Sequence, residues 1–118
     1  MAKPSKVAPL VRQHERGSDG WRRVDEGLTR IAAWCRERKI PKYLIAMPLF
    51  SANADTYREV LDRVVVLARS KGFVAHNALD DFGGKWADLA VSAWDAHPGA
   101  GAHAILAKRL FKLLSKGP

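Results

Sequence analysis

Tyr43-Leu44-Ile45-Ala46-Met47, set between Pro41 and Pro48, is the stretch that decides the fold class. Five apolar residues in a row, with no polar residue alternating between them, read as a short strand buried on both faces, as in a parallel sheet. Proline has no N–H to give to a ladder, so Pro48 ends the run. Working outward, the flanks change period. Upstream, Trp21, Val24, Leu28, Ile31, Ala32 and Cys35 recur at steps of three and four, which predicts an amphipathic helix to about Lys39, capped by Ser18 or Asp19. Downstream, Leu49 to Ala54 read as a loop. Val60, Val64, Leu67 and Ala68 then keep a helical period from an Asn53 or Asp55 cap to Lys71-Gly72, and Phe73-Val74-Ala75 follows as a second strand. Helix, strand, helix, strand predicts two parallel neighbours joined by a right-handed crossover, and therefore an α/β fold: a short parallel sheet flanked by helices.

Beyond the second strand the pattern weakens. Gly83-Gly84 and Asp80-Asp81 suggest a short helical turn and a loop between Ala78 and Val91. From about Gly101, Ile105, Leu106, Leu110, Leu113 and Leu114 predict the apolar face of a last helix, with Lys108, Lys112 and Lys116 on another. Residues 1–17 contain Lys3, Lys6, Arg12 and Arg16 and two prolines, and read as a flexible basic arm; residues 18–118 form the folded part.

At 118 residues the chain is one domain at most, and 47% hydrophobic residues are enough for a core. No apolar run approaches the roughly 20 residues that cross a bilayer, so no membrane partner is expected. Residues 1–17 show no signal peptide, and because a truncated form could have lost one the location stays open, with the cytoplasm as the default. A single cysteine, Cys35, excludes an internal disulfide and reads as a small buried residue. The net charge of +8 is uneven: residues 46–99 hold 5 basic and 7 acidic side chains, whereas residues 100–118 hold 4 and none. A basic end attracts anions, yet no nucleic-acid motif accompanies it, and nucleic acid is not the expected partner.

The chemistry concentrates in Trp94-Asp95-Ala96-His97-Pro98-Gly99-Ala100-Gly101-Ala102-His103. It reads as a loop leading into a helix, with Pro98 able to occupy the first helical position and hold His97 in a stiff turn. In an extended backbone, residues two apart point the same way, so the Asp95 carboxylate can reach the His97 ring. An acid so placed fixes the ring tautomer and stabilises the imidazolium of a general base. The plain alternative is Asp95 as a helix cap and His97 as a surface side chain.

Asp95-x-His97-Pro98 followed by His103 resembles the acid and base block of SGNH (GDSL-type) hydrolases, where the catalytic Asp and His lie near the C-terminal end ahead of the last helix. Gly99 stands where that family usually has Asn and Ala102 where it usually has Gly, and the Asp-to-His spacing is one residue shorter than the commoner form. The pattern of elements from residue 18 to 116 is similar to the family's run before and after this block. The resemblance implies a partial three-layer flavodoxin-like fold and an ester or acyl hydrolase, with His97 as general base and Asp95 orienting it. The substrate would be an ester or an acylated small molecule or glycan, and no cofactor is implied.

The family's nucleophile, the Ser of a Gly-Asp-Ser motif after the first strand, has no counterpart. Gly17-Ser18-Asp19 has the residue types in another order and no strand before it; Ser51-Ala52-Asn53 lacks the form of an oxyanion block; Ser92 has no supporting motif. The expectation is therefore an N-terminally truncated form whose Ser comes from a missing segment, or a homodimer partner completing a sheet of too few strands. A small basic binding module for nucleic acid or another anionic partner, and a non-catalytic α/β subunit, are the competing expectations. His76 at a strand end and His103 on the last helix read as structural, and His14 lies in the arm. No His pair has zinc spacing. Trp86 and Trp94 read as core residues, with the walls of an acyl or sugar pocket as the alternative.

Overall fold

The computed structural model describes residues 17–116 together with Arg12 and Glu15. The expected basic arm and His14 therefore lie almost wholly outside the described residues. The domain is an α/β unit with helix α1 (Asp19–Glu37), strand β1 (Tyr43–Ala46), a 3-10 turn (Ala54–Tyr57), α2 (Arg58–Ser70), β2 (Val74–Asn77), a second 3-10 turn (Leu79–Phe82), β3 (Ala90–Ser92), β4 (Asp95–Pro98) and α3 (Ala100–Lys116).

Ser18 starts α1 as expected: its side-chain oxygen accepts the N–H of Trp21 at 3.1 Å, which satisfies one of the donors a helix start leaves unpaired. The start of α2 differs from expectation. Neither Asn53 nor Asp55 caps it with a side chain; the chain enters through the 3-10 turn instead. Asp55 is drawn to Arg58, whose guanidinium donates to it at 2.9 Å and to both carboxylate oxygens of Asp80 at 2.8 Å. At the other end Gly72 takes φ +88°, a left-handed conformation that costs glycine little, and turns the chain into β2.

β1 and β2 pair in parallel, with Leu44 opposite Ala75 and Ile45 opposite His76. β2 begins one residue later than the sequence suggested and runs on to Asn77. Successive side chains of a strand face opposite ways, and here both faces are covered. Ala46 and Ala75, with Leu44 against them, join a core with Leu28 and Ala32 of α1 and Val60, Leu61, Val65 and Ala68 of α2. Ile45 packs on the other side against a smaller cluster built on Phe50, Ala78, Phe82 and Ala102 of α3. That two-sided burial is why the run is apolar from Tyr43 to Ala46; Met47, expected as the last strand residue, lies past the strand's end and is exposed. Cys35 is buried and free.

Asp95–Pro98 is a strand rather than the expected loop, and Pro98 is its last residue rather than the first of a helix. β3 and β4 form an antiparallel hairpin, irregular between Ala90 and Ser92. Irregular pairing of three- and four-residue strands, one ending in proline, leaves little alternation for a sequence to display. The hairpin is held by the backbone: Phe50 N–H donates to Ala96 C=O at 2.7 Å, and Gly99 N–H donates to Leu89 C=O at 2.8 Å.

Trp86 half-buries against the core and donates its indole N–H to Leu79 C=O at 2.9 Å. Trp94 corrects the expectation of core packing: it sits at the hairpin turn and is 96% exposed. A two-residue turn between short strands offers it nothing to pack under. His103 is likewise exposed on α3. The apolar row expected along α3 is split, because only one side of the helix meets the sheet: Ile105, Leu106 and Leu113 are half-buried, while Leu110 and Leu114 remain exposed.

Candidate functional site

Asp95 opens β4 and His97 lies two residues on, so the pleat sends both side chains the same way. The His97 Nδ1 lies 2.5 Å from Asp95 Oδ1, and the same oxygen accepts the backbone N–H of His97 at 3.0 Å. With an ionised carboxylate as acceptor, Nδ1 carries the proton, and Nε2 is left as the ring's acceptor. The hydrogen bond from the His97 ring, followed by that from its backbone N–H, holds the Asp95 carboxyl below its ordinary value and so favours its ionised form. Neither group is enclosed: the His97 side chain is 77% exposed.

Beside this strand a cavity of about 230 Å³ is lined by Phe50, Ser51, Ala52, Ala87, Ser92, Ala93, Trp94 and Ala96. Its wall joins the loop after β1 to the hairpin through the Phe50–Ala96 backbone bond. In open α/β sheets, ligand groups gather outside the carboxyl ends of the strands, which is where the loop after β1 lies. The two serines in that wall are engaged locally. Ser51 Oγ donates to Asn53 Oδ1 at 2.7 Å, and Ser92 Oγ accepts the N–H of Trp94 at 3.2 Å. Ser18 serves the start of α1. No hydrogen bond joins any of the three to His97 among the described residues.

A second acid–histidine pair escaped the sequence reading. His76 Nε2 lies 2.8 Å from Asp81 Oδ2, and Arg109 of α3 grips the same carboxylate through Nε at 3.1 Å and Nη2 at 3.0 Å. Asp81 is only 11% exposed, so this network is a clamp between β2, the second 3-10 turn and α3. The chain separations, five and 28 residues, carry no local pattern. His76 was expected to be a satisfied structural histidine, and its partner is Asp81. Among the described residues no group of three or more His, Cys, Asp or Glu could hold a metal ion.

Compared with family models, with curated proteins and with solved structures, the chain finds no match in any of the three.

Proposed function

We propose that the chain carries the acid–base half of an SGNH-type ester or acyl hydrolase, in which Asp95 orients His97 and His97 Nε2 takes the proton of an attacking serine. The observation that carries the reading is the 2.5 Å contact from His97 Nδ1 to Asp95 on an exposed strand, with the remaining ring nitrogen available as base. The SGNH resemblance of Asp95-x-His97-Pro98 supports it, as does the α/β layering, which on this reading is part of a three-layer flavodoxin-like fold. The serine is supplied by a segment outside these 118 residues. In the attack step the Ser Oγ–H bond breaks as the Oγ–carbonyl carbon bond forms, the proton passes to His97 Nε2, and the imidazolium lies against the Asp95 carboxylate. As the tetrahedral oxyanion collapses, the bond from the carbonyl carbon to the alcohol oxygen breaks and the proton goes to the leaving alcohol; a water then attacks the acyl-serine, giving its proton to His97 Nε2, and that proton returns to Ser Oγ as the carbonyl–Oγ bond breaks and the carboxylic acid leaves.

The test is hydrolysis of p-nitrophenyl acetate by the chain combined with the segment encoded just before Met1, expected to carry a hydrophobic strand and Gly-Asp-Ser. His97→Ala should lower turnover by about 10²–10⁴-fold, the usual contribution of a positioned base. Turnover that survives the substitution, or an upstream frame without that motif, sinks the proposal.

A further inference from the structure

Ile105, Lys108, Arg109 and Lys112 follow one another along α3 at steps of one, three and four residues that keep them on a single side of the helix. With Asp81 of the second 3-10 turn they line a notch of about 190 Å³. The Asp95–His97 pair takes no part in it. Neither do the exposed Leu110, Phe111 and Leu114, which lie on another flank of the helix.

The charges in this notch do not cancel. Both Asp81 oxygens are already met: Arg109 Nη2 donates to Oδ1, and Arg109 Nε and His76 Nε2 both lie against Oδ2. The helix contains no acidic residue, and among the described residues no carboxylate pairs with Lys108 or Lys112. With Asp81 and Arg109 offsetting each other, the two lysines are left as unmatched positive charges.

The grip on Asp81 also decides which part of Arg109 stays available. Nε and Nη2 are committed to the carboxylate, so the fork that would hold a planar carboxylate ligand is spent, and Nη1 is left without a partner among the described residues. The Asp81 contact, 11% exposed at its carboxylate, keeps that guanidinium from swinging away. Nη1 and two lysine ammonium groups are three separate donors around one concavity. Three separate donors suit a tetrahedral group. A phosphomonoester offers three terminal oxygens and close to two negative charges at neutral pH, so it matches in both number and charge.

We propose that this notch binds the phosphate of a small phosphomonoester, with Arg109 Nη1, Lys108 and Lys112 donating to its terminal oxygens and Ile105 beside its ester carbon. A phosphodiester, the backbone unit of nucleic acid, has two terminal oxygens and a single charge, and leaves one donor and one charge unmet. Arg109 already ties α3 to β2 and the 3-10 turn through Asp81, so an anion bound to the folded form at that joint stabilises the fold. The site gives the expected anionic partner a place on the fold, and it stands independently of the ester-hydrolase reading.

The experiment is calorimetric titration of the full chain with phenyl phosphate, inorganic phosphate and dimethyl phosphate at constant ionic strength, with thermal melts alongside. Phenyl phosphate and inorganic phosphate should bind saturably, one per chain, and raise the melting temperature; dimethyl phosphate should bind about tenfold more weakly, the loss of one charge-assisted hydrogen bond. Lys108→Gln with Lys112→Gln should weaken phenyl phosphate by about tenfold or more with the circular dichroism spectrum unchanged. Lys116→Gln, at the next lysine along the helix but outside the notch, should leave the affinity unchanged. An absence of saturable binding overturns the proposal. So does equal affinity for the diester, or an equal loss from Lys116→Gln, either of which reduces the lysines to a diffuse basic surface. Binding to phosphatidic acid vesicles without any response to phenyl phosphate assigns the lysines to a lipid headgroup and overturns it as well.

Discussion

The backbone N–H of Phe50 donates to the carbonyl of Ala96 at 2.7 Å, joining the loop after β1 to the middle of the strand that carries Asp95 and His97. The Phe50 ring is almost fully buried and meets Phe82 edge-on, with centroids 4.7 Å apart and planes at 69°. Phe50→Ala empties that site and should cost about 3–5 kcal/mol, the usual range for deleting a buried phenylalanine. Urea unfolding measures the loss; a shift under 1 kcal/mol would show that Phe50 does not anchor the hairpin.

The Arg109 clamp on Asp81 predicts a contrast between two arginines. Arg109→Ala leaves a mostly buried carboxylate with His76 as its remaining side-chain partner, and should destabilise the fold by roughly 1–3 kcal/mol. Arg58 also bridges two carboxylates, and they hold its guanidinium protonated beyond its usual range, but all three groups lie in solvent. Exposed pairs are screened, so Arg58→Ala should leave the unfolding midpoint nearly unchanged. Equal losses for the two would contradict the assignment.

Asp95 gives a pH test. Its carboxyl is held below its ordinary value of 3.8 by the His97 ring first and the His97 backbone N–H second. A folded value below the unfolded one means that the stabilisation is complete above the unfolded value. It disappears as pH falls from about 3.8 through the lower folded value. A carboxyl-carbon NMR titration should place the Asp95 midpoint below 3.8, and His97→Ala should move it upward toward that value. A midpoint untouched by the substitution would mean that the ring contact is not formed in solution.

Gly99 sits where the hairpin hands over to α3. A Cβ there would lie 3.0 Å from the Leu89 carbonyl oxygen and 3.1 Å from that of Ala90, both backbone atoms that cannot swing away. Gly99→Ala should therefore cost roughly 1–3 kcal/mol, as overpacking usually does. Amide exchange should show the Gly99-to-Leu89 hydrogen bond opening first. A neutral effect would mean that the crossing is looser than the 2.8 Å bond implies.

The backbone plan was legible where one physical signal dominated. The unbroken apolar run at 43–47 announced a strand covered on both sides, and Ser18 and Gly72 marked helix ends because their side-chain chemistry or lack of a Cβ suits those positions. The hairpin was not legible. Its strands are three and four residues long, and Pro98 pointed toward a helix start while in fact closing a strand. The Asp95–His97 pair could be foreseen because two residues in extended chain share a side. The His76–Asp81–Arg109 network could not, since it joins residues from β2, a 3-10 turn and α3 through tertiary packing.

The sequence by itself determined the α/β order, the buried strand, the burial of Cys35 and the reach of Asp95 to His97, all of them set by period or by separations of a few residues. Tertiary structure alone decided that Trp94 stands in solvent while Trp86 is packed, and that Asp81 is clamped by Arg109. It also decided that the apolar face of α3 is half covered and half bare. Period tells which side chains share a helix face; how much of that face meets another element depends on where the helix is laid, and the two-stranded sheet is narrow enough to leave Leu110, Phe111 and Leu114 outside.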